Sequence, residues 1–206
     1  MRYERRHNFE IETLTRLYEK QDQNRLPWSS RVQDPMSLTG NDDSPAAALP
    51  SVTIYTDGGC DPNPGPGGYG VVLLHPKKRA EASGGFRLTT NNRMEMRAAI
   101  RGLEMLKRPC KVTVFSDSRY LVDAMRRGWV VRWKKRHWWR TKEARVANVD
   151  LWERLLALCE THQVSFVWVK GHAGHKENER CDVLSSAALR HANLPADEGY
   201  ERRGRW

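Results

Sequence analysis

The sequence predicts a domain of the α/β class, in which an antiparallel run of strands is followed by alternating helices and strands. One observation is the period-two alternation of β-branched and aromatic residues from Val52 to Asp57, which is typical of a strand with one buried face. A second is the short connections between the apolar runs that follow, which favour an antiparallel meander. The third is the alternation of helical and strand patterns after Thr89.

The first strand lies within residues 52–61 and ends in a carboxylate, Asp57. Gly58 and Gly59 then weaken the strand, and residues 62–68 (PNPGPGG) are expected to continue no regular element. A carboxylate held in a strand is unfavourable unless it is paired or binds a cation. The local pattern leaves a simple turn aspartate open as the alternative.

The later elements place three more carboxylates near element ends or within helices. Strands are predicted at residues 70–75, 82–88, 111–116 and 164–170, and helices at residues 93–107, 118–127, 149–161 and 177–192. Asp117 follows a strand at its carboxyl end, where open α/β sheets place their sites. Glu95 falls in the first turn of its helix, where a partner of the helix dipole is the alternative. Asp182 lies in the last helix.

The charge distribution indicates a polyanionic partner. The net charge is +10, and because residues 1–50 carry seven Lys or Arg against eight Asp or Glu, residues 51–206 carry +11. Such a domain is expected to bind nucleic acid or an anionic membrane. No apolar run approaches the roughly 20 residues of a membrane span, and the N-terminus has no apolar signal core. Nucleic acid and the cytoplasm are therefore favoured.

Composition also suggests how the chain is divided. Residues 1–50 are predicted to be an N-terminal extension with a short amphipathic helix and a disordered linker. Residues 51–193 form the main domain, and residues 194–206 are expected to be a polar, mobile tail. The cysteines at positions 60, 110, 159 and 181 form no C-x-x-C pair, so we expect reduced, mostly buried thiols rather than zinc or disulfides.

The basic segment, residues 128–145, interleaves cations with large rings. It holds seven Lys or Arg and four of the chain's eight tryptophans. Basic groups alternating with flat rings suit a surface that follows a nucleic-acid backbone. A basic helix that uses its tryptophans only as core contacts is the alternative.

The four carboxylates would repel one another if they met in one cleft. Two unit charges about 4 Å apart cost roughly 4 kcal/mol at an effective dielectric constant of about 20. An ionised cluster therefore needs bound cations, and oxygen ligands without cysteine favour Mg²⁺ or Mn²⁺ over zinc. On a basic protein, this chemistry indicates two-metal phosphodiester hydrolysis.

Several segments together resemble bacterial type 1 ribonuclease H over about residues 52–192. They are YTDGGCDPNPGPGGYG, TTNNRMEMRAAI, SDSRYL, NVDLWERL and VWVKGHAGHKENERCDVLS, in matching order and similar spacing. The resemblance implies a ribonuclease H-like fold, a five-stranded mixed sheet flanked by helices. It also implies endonucleolytic cleavage of the RNA strand of RNA–DNA hybrids, leaving 3′-hydroxyl and 5′-phosphate ends.

By this resemblance the two Mg²⁺ ions, or Mn²⁺ as a substitute, are held by Asp57, Glu95, Asp117 and Asp182. Asp57 is expected to bridge both ions, with Glu95 and Asp117 on one and Asp182 on the other. His172 matches the mobile catalytic histidine, and its ordinary pKa near 6.5 suits proton transfer near neutrality. His175 is interpreted as structural or solvated.

The resemblance also implies the substrate contacts. Residues expected near 2′-hydroxyls are Cys60, Asn63, Asn91 and Asn92, and Thr90 is expected at a DNA-strand phosphate. Within the basic segment, the expected contacts are Trp133, Lys134, Lys135, Arg136 and Arg140. Arg119 stands where the family commonly has an amide, and an additional phosphate contact is expected there. Residues 1–50 lack the aromatic, glycine-rich pattern of the hybrid-binding domain that some members carry.

Two competing functions differ from this prediction. One is another nuclease of the same superfamily, such as a junction resolvase or integrase core, against which NPGPGG, NNRME and GHAGH argue jointly. The other is a catalytically silent hybrid-binding protein, which the loss of any one carboxylate would have favoured. The expected partner is the hybrid duplex alone, bound by a monomer.

Overall fold

The computed structural model describes residues 48–202, and its centre is one five-stranded sheet. The strands lie side by side in the order β3-β2-β1-β4-β5. Their bounds are β1 Ser51–Cys60, β2 Gly65–His75, β3 Lys78–Thr89, β4 Lys111–Ser116 and β5 Gln163–Trp168. Strands β1, β2 and β3 pair antiparallel, whereas β1, β4 and β5 run parallel. The predicted mixed sheet is confirmed.

Six helices accompany this sheet within residues 48–202. They are α1 Asn91–Glu104, α2 Arg119–Arg126, α3 Trp129–Lys135, α4 Val149–Thr161, α5 Lys176–Ala188 and α6 Glu198–Glu201. Helix α1 covers one face of the sheet, where Gly102 lies on Ile54, and it also packs against α4. Helix α5 covers the other face, where the carbonyl of Cys181 lies so close to Gly70 that a side chain on Gly70 would collide with it.

Strand β1 extends further than the sequence predicted, and this places Asp57 differently. Its parallel pairing with β4 ends at Thr56 and Ser116, but its antiparallel pairing with β2 continues to Cys60 and Gly67. Asp57 is therefore not at the end of its strand. It is the first residue of β1 beyond the end of β4, so the sheet is open on one side of it.

The prediction that residues 62–68 join no regular element is wrong for Gly65 to Gly68, which begin β2. A shift of register between Gly65 and Gly67 accommodates the intervening proline, which has no N–H to donate. Glycines are favourable here because α5 lies directly against Gly68. Composition signalled a loop, and close packing of a helix overrides that signal.

The start of α1 differs from the sequence-based prediction, because the helix begins at Asn91 rather than at residue 93. Thr90 occupies the N-cap of α1 but its side chain makes no capping hydrogen bond. Glu95 is the fifth residue of α1, beyond the first turn, so the alternative of a helix-dipole partner loses its basis. Asn148 at the start of α4 has a left-handed backbone (φ 59°) and likewise gives no side-chain cap.

The mobile tail predicted from residue 194 onward is wrong for residues 194–202. Asp197 is fully buried, and α6 follows it. Polar composition suggested solvent exposure, but these polar groups are paired with groups of the domain. The N-terminal helix and most of the linker predicted within residues 1–50 lie outside the described residues. Across residues 48–202, no helix combines the length and apolar character needed to cross a bilayer.

Candidate active site

Four carboxylates from four elements lie around the open end of the sheet, near enough for their charges to interact. Asp57 comes from β1, Glu95 from α1, Asp117 from the residue after β4, and Asp182 from α5. Helix α1 can approach β1 because Gly58 has no side chain. A Cβ there would collide with the backbone of Met94 and Glu95.

Electrostatic coupling shows that these carboxylates share one environment. Burial, followed by the charge of Asp117, raises the pKa of Asp57 to about 6, and the charge of Asp182 adds to the increase. Burial and then the charges of Asp117 and Asp57 raise the pKa of Glu95 to about 8. A group of carboxylates that disfavour one another's ionisation is the arrangement that a cation stabilises.

Two oxygens of the cluster have no hydrogen-bond partner although they are buried: Oε2 of Glu95 and Oδ1 of Asp117. Buried polar atoms are normally paired, so acceptors without partners indicate a missing positive group. As they stand within residues 48–202, no three His, Cys, Asp or Glu side chains are grouped closely enough to hold a metal ion. The all-oxygen donor set of the four carboxylates fits a hard cation such as Mg²⁺.

The raised pKa values predict a pH-dependent effect of Glu95→Gln on stability. The carboxyl has its ordinary pKa of 4.5 when unfolded and a pKa of about 8 when folded, so without metal the wild type loses stability as pH rises between these values. Glutamine removes this loss. In EDTA we expect equal stability near pH 4.5 and a variant more stable by up to about 4 kcal/mol at pH 8, measured by urea unfolding. A difference independent of pH would contradict the assignment.

His172 lies in the exposed loop before α5. Its side chain is 83% exposed, and its Nδ1 stands 3.9 Å from Oδ2 of Asp182. The loop adjoins Asp117 at Gly171, where a Cβ would lie 2.6 Å from the Asp117 carboxylate. An exposed imidazole beside these partly buried carboxylates is in contact with both the solvent and the site. His175 is half-buried and occupies the N-cap of α5.

The residues predicted to contact 2′-hydroxyls lie together near the start of α1. The backbone N–H of Asn91 donates to Oδ1 of Asn63 at 3.3 Å, and the Cys60 thiol lies within 3.4 Å of the Thr89 carbonyl. The side-chain oxygen of Asn91 is buried without a partner. Asn92 is exposed. Residues 60–63 and residues 89–92 therefore form one polar surface next to the carboxylates.

The basic segment includes α3 and the turn that follows it. Lys134, Lys135, Arg136 and Arg140 are all exposed, and Lys134 makes a long ion pair of 3.9 Å with Glu160. Trp133 is half-buried, with ring-centre distances of 6.3 Å to Trp129 and 6.0 Å to the buried Trp152. Part of the Trp133 ring therefore makes core contacts, as the alternative interpretation expected. The four cations are exposed to solvent, where a polyanion can reach them.

Arg119 is held next to the third carboxylate by a ring. Its guanidinium lies 3.9 Å from the centre of the Trp168 ring, and Nε1 of Trp168 donates to the backbone carbonyl of Asp117 at 3.0 Å. The guanidinium is thus an exposed cation with a fixed support, which suits a phosphate contact.

Sequence analysis did not identify Arg93, which is fully buried in α1 and paired with Asp197 and Asp150. A signal existed. Arg93 shares helical spacing with Met96, Ile100 and Leu103, all of which are buried. A cation at the head of an apolar stripe predicts a buried ion pair, but only the structure identifies its partners.

Carboxylates at the open end of a mixed sheet and an exposed basic segment in the same domain fit a nucleic-acid hydrolase. The family model for RNase H matches residues 50–190. The chain belongs to the RNase H family, divalent-metal-dependent nucleases whose function is to cleave the RNA strand of RNA–DNA hybrids. The chain is 62% identical to the ribonuclease H of Syntrophus aciditrophicus over 149 residues, which cover 72% of this chain and 86% of that protein.

Two solved structures are similar to this chain. LC9-RNase H1, a type 1 RNase H with the type 2 active-site motif, is 32% identical with a TM-score of 0.62, covering 80% of this chain and 84% of its own. LC11-RNase H1 in complex with an RNA/DNA hybrid is 28% identical with a TM-score of 0.53, covering 67% of this chain and 96% of its own. Both agree with the ribonuclease H-like fold.

Proposed function

We propose that this chain cleaves the RNA strand of RNA–DNA hybrids with two Mg²⁺ ions held by Asp57, Glu95, Asp117 and Asp182. The observation that carries the proposal is the pair of buried, unpartnered oxygens on Glu95 and Asp117, in a cluster that raises its own pKa values. The ions supply charge stabilisation and an activated water for phosphodiester hydrolysis, and Mn²⁺ can substitute for Mg²⁺.

The metal-binding roles that we propose for the four carboxylates differ with their positions. Asp57 would serve both ions, with Glu95 and Asp117 on one and Asp182 on the other, because its carboxylate interacts with those of Asp117 and Asp182, and the Glu95 carboxylate interacts with those of Asp117 and Asp57. His172, exposed near Asp182, takes or gives a proton and assists release of product. Cleavage then leaves a 3′-hydroxyl and a 5′-phosphate.

Substrate recognition uses two surfaces. The surface formed by Cys60, Asn63, Asn91 and Asn92 contacts 2′-hydroxyls, which distinguish RNA from DNA, and Thr90 contacts a phosphate of the DNA strand. The exposed cations of the basic segment neutralise backbone phosphates further along the duplex. Arg119 adds a phosphate contact beside Asp117, and Trp133 packs against the backbone with its exposed edge.

The catalytic domain on this proposal is residues 51–193, since every site residue falls within it, and residues 1–50 form a separate extension. We propose that the protein acts as a monomer. The four cysteines are free, which suits the reducing cytoplasm.

Cleavage of an RNA–DNA hybrid with label on one strand at a time tests the proposal. We expect cuts in the RNA strand with Mg²⁺, and 3′-hydroxyl ends that a poly(A) polymerase can extend. Calcium should bind yet support little turnover, because its longer and looser coordination does not fix the attacking water. Duplex DNA and duplex RNA are the controls. Tight hybrid binding without Mg²⁺-dependent cleavage would favour the silent binding protein instead.

A further inference from the structure

A buried ion-pair cluster lies behind the start of α1, outside the carboxylate site. Arg93 donates from Nε to Oδ2 of Asp197 at 2.6 Å and from Nη2 to Oδ1 of Asp197 at 2.7 Å. The hydroxyl of Thr89 donates to the same Oδ2 at 2.7 Å. Thr89, Arg93 and Asp197 are each fully buried. These three residues, called here the C-terminal clamp, form a closed arrangement with directed bonds on both carboxylate oxygens.

The clamp holds both ends of one short stretch of chain. Thr89 precedes the stretch Thr90 to Asn92 and Arg93 follows it, and Glu95 is two residues further along the same helix. This stretch contributes Asn91 and Asn92 to the surface proposed above to contact 2′-hydroxyls, and Thr90 to the proposed contact with a DNA-strand phosphate. A carboxylate that binds the residues on either side of a contact loop fixes the loop's position relative to the helix.

The segment that carries Asp197 is itself anchored to the domain. The N–H of Arg87 donates to the carbonyl of Pro195 at 2.9 Å, and the guanidinium of Arg87 bonds both carboxylate oxygens of Glu201 at 3.1 and 2.8 Å. Gly199 lies against the Asp150 carboxylate so closely that a side chain there would collide with it. Asp197 is thus held from its own side as well as by Arg93.

We propose that Asp197 is a positioning residue for the reaction, acting through Thr89 and Arg93 to fix the hybrid-contacting stretch and Glu95. This inference rests on the proposed function, because it takes Thr90 to Asn92 as substrate contacts. It assigns the C-terminal segment a role in activity in addition to its packing. Displacement by about 1 Å in an active site can cost up to about 100-fold in rate, so a loosened clamp affects turnover in protein that stays folded.

The first test is Asp197→Asn, which keeps the shape and removes the charge from Arg93. With each variant assayed well below its own melting temperature, we expect kcat/KM on the hybrid to fall about 10- to 100-fold, with KM raised and kcat lowered. The dependence of affinity on salt should not change, since no cation that meets phosphate is removed. A purely structural Asp197 would lower the melting temperature and leave both kinetic constants at wild-type values, which would overturn the inference.

Glu201→Gln is the matched control, because it weakens the other anchor of the same segment without touching Thr89 or Arg93. We expect kinetic constants within about twofold of wild type, since a partly exposed ion pair contributes little. A loss of kcat/KM as large as that of Asp197→Asn would show that any loosening of the segment suffices, and would contradict a specific role for Asp197.

Thr89 provides a second, milder pair of variants if Asp197→Asn fails to fold. Thr89→Val removes the hydroxyl at nearly constant volume and should raise KM about 3- to 10-fold, whereas Thr89→Ser keeps the hydroxyl and should restore KM. Equal KM values for the two variants would overturn the inference. Asp117→Asn, assayed alongside, separates the two hypotheses. If that variant is inactive while the Thr89 and Asp197 variants are normal, only the positioning role fails.

Discussion

Asp117→Asn is expected to abolish most hybrid cleavage while leaving the fold and hybrid binding intact. The substitution preserves shape but removes one ligand charge from a site in which one oxygen of Asp117 and one of Glu95 are buried and unpartnered. We expect kcat to fall by about 1,000-fold, corresponding to ~4 kcal/mol in the activation free energy. Single-turnover cleavage of a labelled hybrid in Mg²⁺ measures this loss.

Stability and binding provide the controls for that variant. The charge of Asp117 raises the pKa of both Asp57 and Glu95, so its removal relieves repulsion, and the metal-free variant should be no less stable than wild type. Hybrid affinity in Ca²⁺ should stay close to that of wild type, because the cations of the basic segment are untouched. Cleavage near the wild-type rate would exclude the two-metal assignment.

The basic segment is expected to govern affinity rather than chemistry. Its exposed cations Lys134, Lys135, Arg136 and Arg140 come from α3 and the following turn, not from the elements that carry the carboxylates. If each neutralises one phosphate, replacing all four by alanine should flatten the slope of log affinity against log salt by about 3 to 4. KM should rise while kcat changes little, which is the pattern of lost uniform binding.

A control for this variant lies at the opposite end of the sheet. Lys77 and Lys78 are exposed at the turn between β2 and β3, away from the open end that holds Asp57. Alanine at both positions should leave the salt slope unchanged. Titrations from about 50 to 200 mM salt compare the two variants. An unchanged slope in the four-fold variant would mean that the phosphate contacts lie elsewhere on the domain.

Trp133 illustrates how far the sequence could separate packing from binding. Alternation of Trp with Lys and Arg predicted a binding surface, and the exposed cations agree with it. The ring of Trp133 nevertheless packs between Trp129 and Trp152. Spacing along one helix could not reveal this, because Trp152 belongs to α4 and the contact depends on how the two helices meet.

Local pattern indicated two of the four carboxylates, Asp57 and Asp117, whereas Glu95 and Asp182 were assigned to the site by the family resemblance. Asp117 was expected directly after a strand, and it does follow β4. Asp57 was expected at a strand end, but β1 continues because Gly58 and Gly59 pair with Tyr69 and Gly68 of β2. Glycine weakens an isolated strand, whereas here it allows helices to approach both faces. Glycines in the sequence signal a break in the strand, but they do not show that helices pack against them in the folded protein.

The C-terminal clamp could not be predicted because it joins distant parts of the chain. Arg93 and Asp197 are separated by 104 positions, and no sequence motif indicates that they form a pair. Polar composition near the C-terminus resembles that of a frayed end. Asp197 is nevertheless buried, and its burial depends on the counter-charge of Arg93. Burial alone raises the pKa of Asp197, yet hydrogen bonds from Arg93 and Thr89 hold it below its usual value.

The difference in length between β1 and β4 makes access to the site depend on backbone pairing as well as on side chains. Beyond Thr56, β1 has a neighbour on the β2 side and none on the β4 side. An insertion that let β4 continue alongside Asp57 would complete the ladder and close the entrance, with every carboxylate still present. On the proposed function, we therefore expect activity to require that β4 ends at Ser116 as well as that the carboxylates are present.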